Sequence, residues 1–186
     1  MTLKEMKVKV LALIEELNPD SAKLTDDPDI STKLNHVINQ VMYELVRLKK
    51  LAKCVEMEVN AGDVIGFADI EQVCGYEVYQ VNNIYGVGFI PRANCTSFKM
   101  LEKGTAEIDC NVYPERITDK TKDNYEFEVS SDVLEVMPYG IAADLLKSDI
   151  SAGYGNIYAE RYESMKQMLD TRGMMLNVYI EGGIDV

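Results

Sequence analysis

A single histidine, no C-x-x-C pair and no apolar run longer than Val10–Ile14 deprive this 186-residue chain of several common functional devices. A bilayer-spanning helix needs about 20 apolar residues in succession, so no membrane span is expected. Glu15 and Glu16 follow the apolar run at once, whereas a signal peptide needs a longer one with a small-residue cleavage site. No export signal is read. Cys54, Cys74, Cys95 and Cys110 lack the paired spacing of a zinc finger or ribbon. They are expected as reduced thiols of a cytoplasmic chain, with Cys110 on the same alternating face as Ala106, Ile108 and Val112. An excess of basic residues is also missing. The formal charge is −12, with nine Lys/Arg against eight Asp/Glu in residues 1–53 and ten against twenty-three in the remainder. Gripping nucleic acid by its phosphates requires the opposite sign. Solubility explains the acidity, and so does a surface that must let DNA pass without holding it.

What is present is a composition of 47% hydrophobic and 27% charged residues, enough apolar surface to offset the entropy of ordering. Thr2 and Glu5 form a capping box for a first helix with the stripe Leu3, Met6, Val10, Leu13, Ile14 and Leu17, ended by Asn18-Pro19-Asp20. Asp27-Pro28 opens a second helix to about Leu51, where Ile30, Leu34, Val37, Ile38, Val41, Leu45 and Leu48 form one stripe. Arg47, Lys49, Lys50 and Lys53 at its end either complement the helix dipole or form a binding patch. Tyr43 and Val46 lie on the back of this helix and suggest a second contact surface.

From Lys53 to Val129 the period changes to two. Val55, Met57 and Val59 alternate with polar residues, and further strands are expected at 76–81, 84–90, 97–101, 105–113 and 125–129. Ala61-Gly62-Asp63, Cys74-Gly75, Pro91 and Lys103-Gly104 supply turns, which together suggest a small antiparallel sandwich or barrel. Helices then return. Ser131-Asp132 caps a short turn and Pro138 begins a helix to about Ile150, with Ile141, Ala142, Leu145 and Leu146 inward. After a glycine-bearing hinge, Ser151–Asn156, a last helix places Tyr154, Ile157, Tyr158, Tyr162, Met165, Met168 and Leu169 on one face and closes at Arg172-Gly173.

The expected fold is therefore α+β. Residues 1–52 form an N-terminal helical pair, 53–129 an inserted antiparallel β-rich lobe, and 130–172 a C-terminal helical pair packing on the first; about four helices make the bundle. Residues 173–186 form a strand-like arm in which Met175, Leu176, Val178, Tyr179 and Ile180 put apolar side chains on both faces. That arm either closes the lobe of its own subunit or adds as a strand to a partner.

No constellation of reactive groups emerges. His36 lies opposite the Leu34/Val41/Leu45 stripe, so it faces solvent or a neighbour. Gly86-Val87-Gly88 lacks the third glycine and the following helix of a phosphate loop. Asp26, Asp27 and Asp29 lack the glycine and terminal glutamate of a calcium loop. No catalytic, cofactor-binding or metal-binding residue is assigned, and no cofactor is expected. Two charges interrupt apolar faces: Asp149 near Leu145 and Ala142, and Arg161 between Tyr154, Met165 and Met168. Either they form an ion pair across the hinge, or Arg161 lays its stem over tyrosine rings and reaches water.

The segment Met137-Pro138-Tyr139-Gly140-Ile141-Ala142-Ala143-Asp144-Leu145-Leu146-Lys147-Ser148-Asp149, followed by Tyr158-Ala159-Glu160-Arg161-Tyr162-Glu163, resembles the head-to-tail adaptor, or connector, proteins of tailed bacteriophages. The likeness extends to the helical pair around Ile30–Leu51 and the inserted β lobe, although all-helical adaptors lack such a lobe. The resemblance implies a non-enzymatic virion protein made in the bacterial host cytoplasm. It implies a homo-oligomeric ring of about twelve copies in the head–tail neck, with a portal protein above, a tail or nozzle protein below, and DNA passing through without sequence-specific binding. Another tail-completion or baseplate subunit, or a small enzyme or ligand-binding module with an acidic site, stays open beside it.

Overall fold

A computed structural model describes residues 1–92, 95–147 and 153–172. The described chain is mixed α+β, with five helices and two three-stranded antiparallel sheets. Helix α1 (Leu3–Leu13) opens at the expected capping box: the Thr2 amide donates to Glu5 Oε2 at 2.8 Å and the Glu5 amide to Thr2 Oγ1 at 3.3 Å. These bonds hold the Glu5 carboxyl below the usual range. Helix α2 (Pro28–Leu48) starts with proline in its first turn, and Asp27 Oδ1 accepts from the Asp29 and Ile30 amides at 2.7 and 3.2 Å.

Strands β1 (Ala52–Val59) and β2 (Val64–Gly66) precede helix α3 (Phe67–Cys74), which periodicity did not disclose. It has two turns, buries only Ile70 completely, and ends at Gly75 in the left-handed conformation, φ 77°. Strands β3 (Val78–Tyr85), β4 (Phe89–Arg92), β5 (Ser97–Met100) and β6 (Gly104–Val112) complete the sheets, in the orders β1-β6-β3 and β2-β5-β4. The apolar run expected as one strand at 84–90 is split between β3 and β4 by Gly86 at φ 81°. A side chain there would meet the Thr105 carbonyl oxygen at 2.5 Å. Pro91 sits on edge strand β4, where a missing amide is tolerated.

Helix α4 (Ser131–Leu146) corrects a second expectation: it begins at Ser131, and Pro138 lies buried in its interior. Proline there removes one intrahelical bond. Val133, Val136 and Met137, all buried, offset that loss by anchoring the preceding turns in the core. Helix α5 (Tyr154–Arg172) packs on α4.

Two apolar cores result. One unites α1, α2, α4 and α5 around Leu3, Met6, Leu11, Ile38, Met42, Leu45, Met137 and Ile141. The other fills the space between the two sheets and α3 with Val55, Val59, Ile65, Ile70, Phe98, Met100, Ile108 and Val112. Residues after β6 leave the strand core. Ile117 and Phe127 pack among the helices, and the stretch read as a strand at 125–129 makes only a bridge, Glu126 to Thr2. Carbonyls at and just before its start cap α1 instead: Leu3 N donates to Tyr125 O at 2.8 Å and Lys4 N to Asp123 O at 3.0 Å.

Candidate functional site

Tyr43 and Val46 are not a free surface. Val46 is completely buried and Tyr43 half-buried, because this part of α2 meets Tyr79 of β3 and Tyr113, which follows β6. The Tyr43 and Tyr113 rings stack with centroids 4.6 Å apart, and Tyr79 follows at 4.7 Å. Arg47 Nε donates to the Tyr113 hydroxyl at 2.6 Å, while the Tyr79 hydroxyl donates to the Val46 carbonyl at 3.2 Å. Burial pushes the phenols of Tyr43 and Tyr79 up, which favours their neutral forms. Sequence periodicity put Tyr43 and Val46 on the back of α2; Tyr43 also packs partly on the helical core. Nothing in that pattern told an intramolecular contact from an intermolecular one.

Lys53 makes a separate set of contacts. Its ammonium lies 4.5 Å from the Tyr76 ring centroid and 3.7 Å from Glu128, whose carboxylate accepts from the Tyr76 hydroxyl at 2.9 Å. Arg47 and Lys53, read as a helix-end cap or a binding patch, therefore act as rivets: Arg47 ties α2 to Tyr113 after β6, and Lys53 ties β1 to Tyr76 and to Glu128 of the returning chain.

Arg161 is exposed, with its guanidinium carbon 4.4 Å from the Tyr139 ring centroid. It is the guanidinium head, not the stem, that lies over the ring, a cation–π contact at the surface. Asp149, its other suggested partner, lies outside the described residues, as do Met175, Leu176, Val178, Tyr179 and Ile180. The neighbouring turn of α5 is fixed more strongly. The Tyr162 hydroxyl donates to Glu44 Oε2 at 3.0 Å, and Lys166 bridges Glu44 at 2.6 Å and Glu163 at 3.0 Å. The hydrogen bond to Glu44 is the largest influence raising the Lys166 ammonium. Tyr162 reaches this position only because residue 140 is glycine: a Cβ there would stand 2.7 Å from its ring.

His36 is exposed on α2. Among the described residues no group of three His, Cys, Asp or Glu side chains is placed to hold a metal ion. An open, mainly polar depression of about 440 Å³ lies between α1 and α2, lined by Lys7, Lys23, Ser31, Thr32, Asn35 and Asp119. No helix of the described residues is long and apolar enough to cross a membrane.

The exposed features that periodicity missed are on the sheets and on α5. Val64, Ile90 and Leu101 are 46%, 49% and 53% exposed on the β2-β5-β4 sheet, and Ile157 and Met168 are 58% and 59% exposed on α5. Cross-strand register brings Val64 and Ile90 to either side of Lys99, with Leu101 just past the end of β5, and register is invisible in single-strand patterns. On the other sheet Glu56 faces Glu107 across β1 and β6, with Cys54 opposite Asp109. Loss of hydration, then Glu107 and Asp109, pushes the Cys54 thiol up to about 11. The chain matches no protein-family model and no curated protein.

Proposed function

We propose that this chain is a structural adaptor subunit that assembles into a ring between the portal and the tail of a phage particle. The reading takes the fold as a helical bundle carrying an inserted β lobe. The observation that carries it is the union of two helical pairs distant in sequence: α4 and α5, which hold the adaptor-like segment, share one core with α1 and α2. The lobe between them keeps its own core and leaves the bundle through a riveted seam. Such a body offers rigid faces instead of a cleft. The acid excess after residue 53 supports it further, since a surface beside passing DNA must not grip phosphate.

Negative-stain electron microscopy of the purified chain, alone and mixed with portal rings, tests the proposal. Density added at one end of the portal with rotational symmetry is the expected result. Turnover of a small substrate by the purified chain, without portal binding, would overturn it.

A further inference from the structure

We infer that subunits associate head to tail through two unlike faces of the strand core. The outer face of the β2-β5-β4 sheet of one copy docks on the outer face of the β1-β6-β3 sheet of the next. The inference rests on the ring reading above, but its test is independent of the portal.

The first face is built by register. Val64, Lys99 and Ile90 share one rung across the three strands, with Gly66, Ser97 and Arg92 two residues along. Ile65, Phe98 and Met100 point the other way, into the strand core. Leu101 extends the outer face, its amide bonded to the Gly88 carbonyl. Three aliphatic side chains, each about half exposed, thus surround two cations on a chain whose net charge is −12. Glu102 is the acid at this rim, and its carboxylate accepts from the Gly88 amide at 2.7 Å. Among the described residues neither Arg92 nor Lys99 has an ion-pair partner. An apolar patch edged by charge is the composition of a contact surface.

The occupant follows from charge. The outer face of the other sheet carries Glu56 and Glu58 on β1, and Glu107 and Asp109 on β6. Glu56 and Glu107 stand directly opposite one another, a like-charge pairing that costs stability in an isolated sheet. None of the four is in an ion pair among the described residues. Because both sheets face one shared core, these outer faces point away from it and cannot meet within one chain. A second copy brings Lys99 and Arg92 to the Glu56/Glu107 rung and covers Val64, Ile90 and Leu101. Contacts between unlike faces leave a free face at each end, so they propagate into a ring or a filament.

Two half-blocked full-length variants separate this from other contacts. Ile90→Asp with Lys99→Glu disables the first face, and Glu56→Lys with Glu107→Lys disables the second. Sedimentation velocity at low salt should show wild type forming oligomers that dissociate as salt is added. Each variant alone should remain monomeric, with self-association weakened at least about tenfold. Their mixture should give a one-to-one heterodimer and nothing larger, since only one competent pair of faces remains. Unchanged thermal melts of both variants show that folding is intact. Wild type that stays monomeric, a mixture that forms no heterodimer, or Glu56→Lys/Glu107→Lys protein that still dimerises through like apolar faces would each overturn the inference. Heterodimer formation without portal binding would refute the adaptor reading and leave this contact standing.

Discussion

Asn39 is the buried polar residue on which the returning chain depends, and replacing it should loosen the junction between β6 and α4. It is 6% exposed on the inner side of α2. Its Nδ2 donates to the Ile117 carbonyl at 2.7 Å and to the Asn35 carbonyl at 2.9 Å, while its Oδ1 accepts from the Ile117 amide at 2.8 Å. The side chain thus pairs with residue 117 as a neighbouring strand would. Asn39→Ala orphans a donor and an acceptor beside Ile117, itself 2% exposed. Each unsatisfied buried group costs about 1–3 kcal/mol, so the pair costs about 2–6. Better helix propensity of alanine returns about 0.5 kcal/mol, and water entering the vacated space relieves part of the rest. The expected net loss is about 2–4 kcal/mol, or a melting temperature lower by roughly 5–15 °C for a chain of this size. Hydrogen exchange at the Ile117 amide should accelerate more than at amides of the strand core. Asn39→Asp adds a sign test. Its ionised carboxylate would face two carbonyls, raising its folded pKa above the unfolded value of about 3.9. Relative to Asn39→Ala, its stability should therefore be best below that value and decline as pH rises through the folded pKa. A loss under about 1 kcal/mol for Asn39→Ala, with Ile117 still protected, would refute the pairing as the source of order there.

Gly140→Ala should destabilise by about 1–3 kcal/mol despite alanine's better helix propensity, because the new methyl would overlap the Tyr162 ring; an urea melt shows whether the clash or the propensity wins. Tyr125→Phe should be neutral or stabilising by up to about 1 kcal/mol, since the Tyr125 hydroxyl is buried with no hydrogen-bond partner among the described residues. Burial first, then Glu115, pushes that phenol from 10.0 up to about 12, so its neutral form is favoured by folding. Wild-type stability should accordingly fall as pH rises from about 10 to about 12, and the phenylalanine variant should show a shallower fall in alkaline melts. Glu107→Gln should accelerate alkylation of exposed Cys54 by iodoacetamide at mildly alkaline pH, because it removes a charge that opposes the thiolate; an unchanged rate would mean that Glu107 does not act on the thiol.

Helix starts were the part of the fold best written into local sequence; α1 stops at Leu13, ahead of the expected stop at Asn18-Pro19-Asp20, with Glu15 at φ 61°. Thr2/Glu5 and Asp27-Pro28 act within four residues of themselves, so no tertiary information was needed to place α1 and α2. Strand alternation in 52–59 and 104–112 was equally plain, because each of these strands has one face on the core. Helix α3 was hidden for the opposite reason: eight residues with a single fully buried side chain have no period to detect. Pro138 misled because a proline inside a helix is usually a boundary, and only the buried turn ahead of it keeps the helix going. For surfaces, single-strand patterns show which residues face outward but not which outward residues become neighbours. Tyr43 and Val46 were legible as a second face of α2, yet the cover that Tyr113 provides comes from 66 or more residues away, as the Arg47–Tyr113 bond illustrates.

That cover has a mechanical consequence. Rings stacked at 4.6 and 4.7 Å, with Arg47 bound to the Tyr113 hydroxyl, tolerate less sliding than an interface of methylenes, because each hydrogen bond and stack has a preferred direction. The strand core is thereby held at one angle to the helices. A head-to-tail contact closes into a ring only when the rotation from one copy to the next divides a full turn; otherwise it runs on as a filament. Within the strand core, close packing fixes the angle between the two proposed faces. Between that core and the helices, the tyrosine seam fixes where any portal-facing surface would point. Loosening the seam should then leave association through the sheets, and the curvature it sets, intact while the helices take up a range of angles to the strand core. Tyr113→Leu, which removes the stack and the Arg47 bond but keeps an apolar side chain, should form the same assemblies as wild type under the electron microscope, with the helical density blurred. A shift from closed to open assemblies in that variant would mean that the helices, and not the sheets alone, set the curvature.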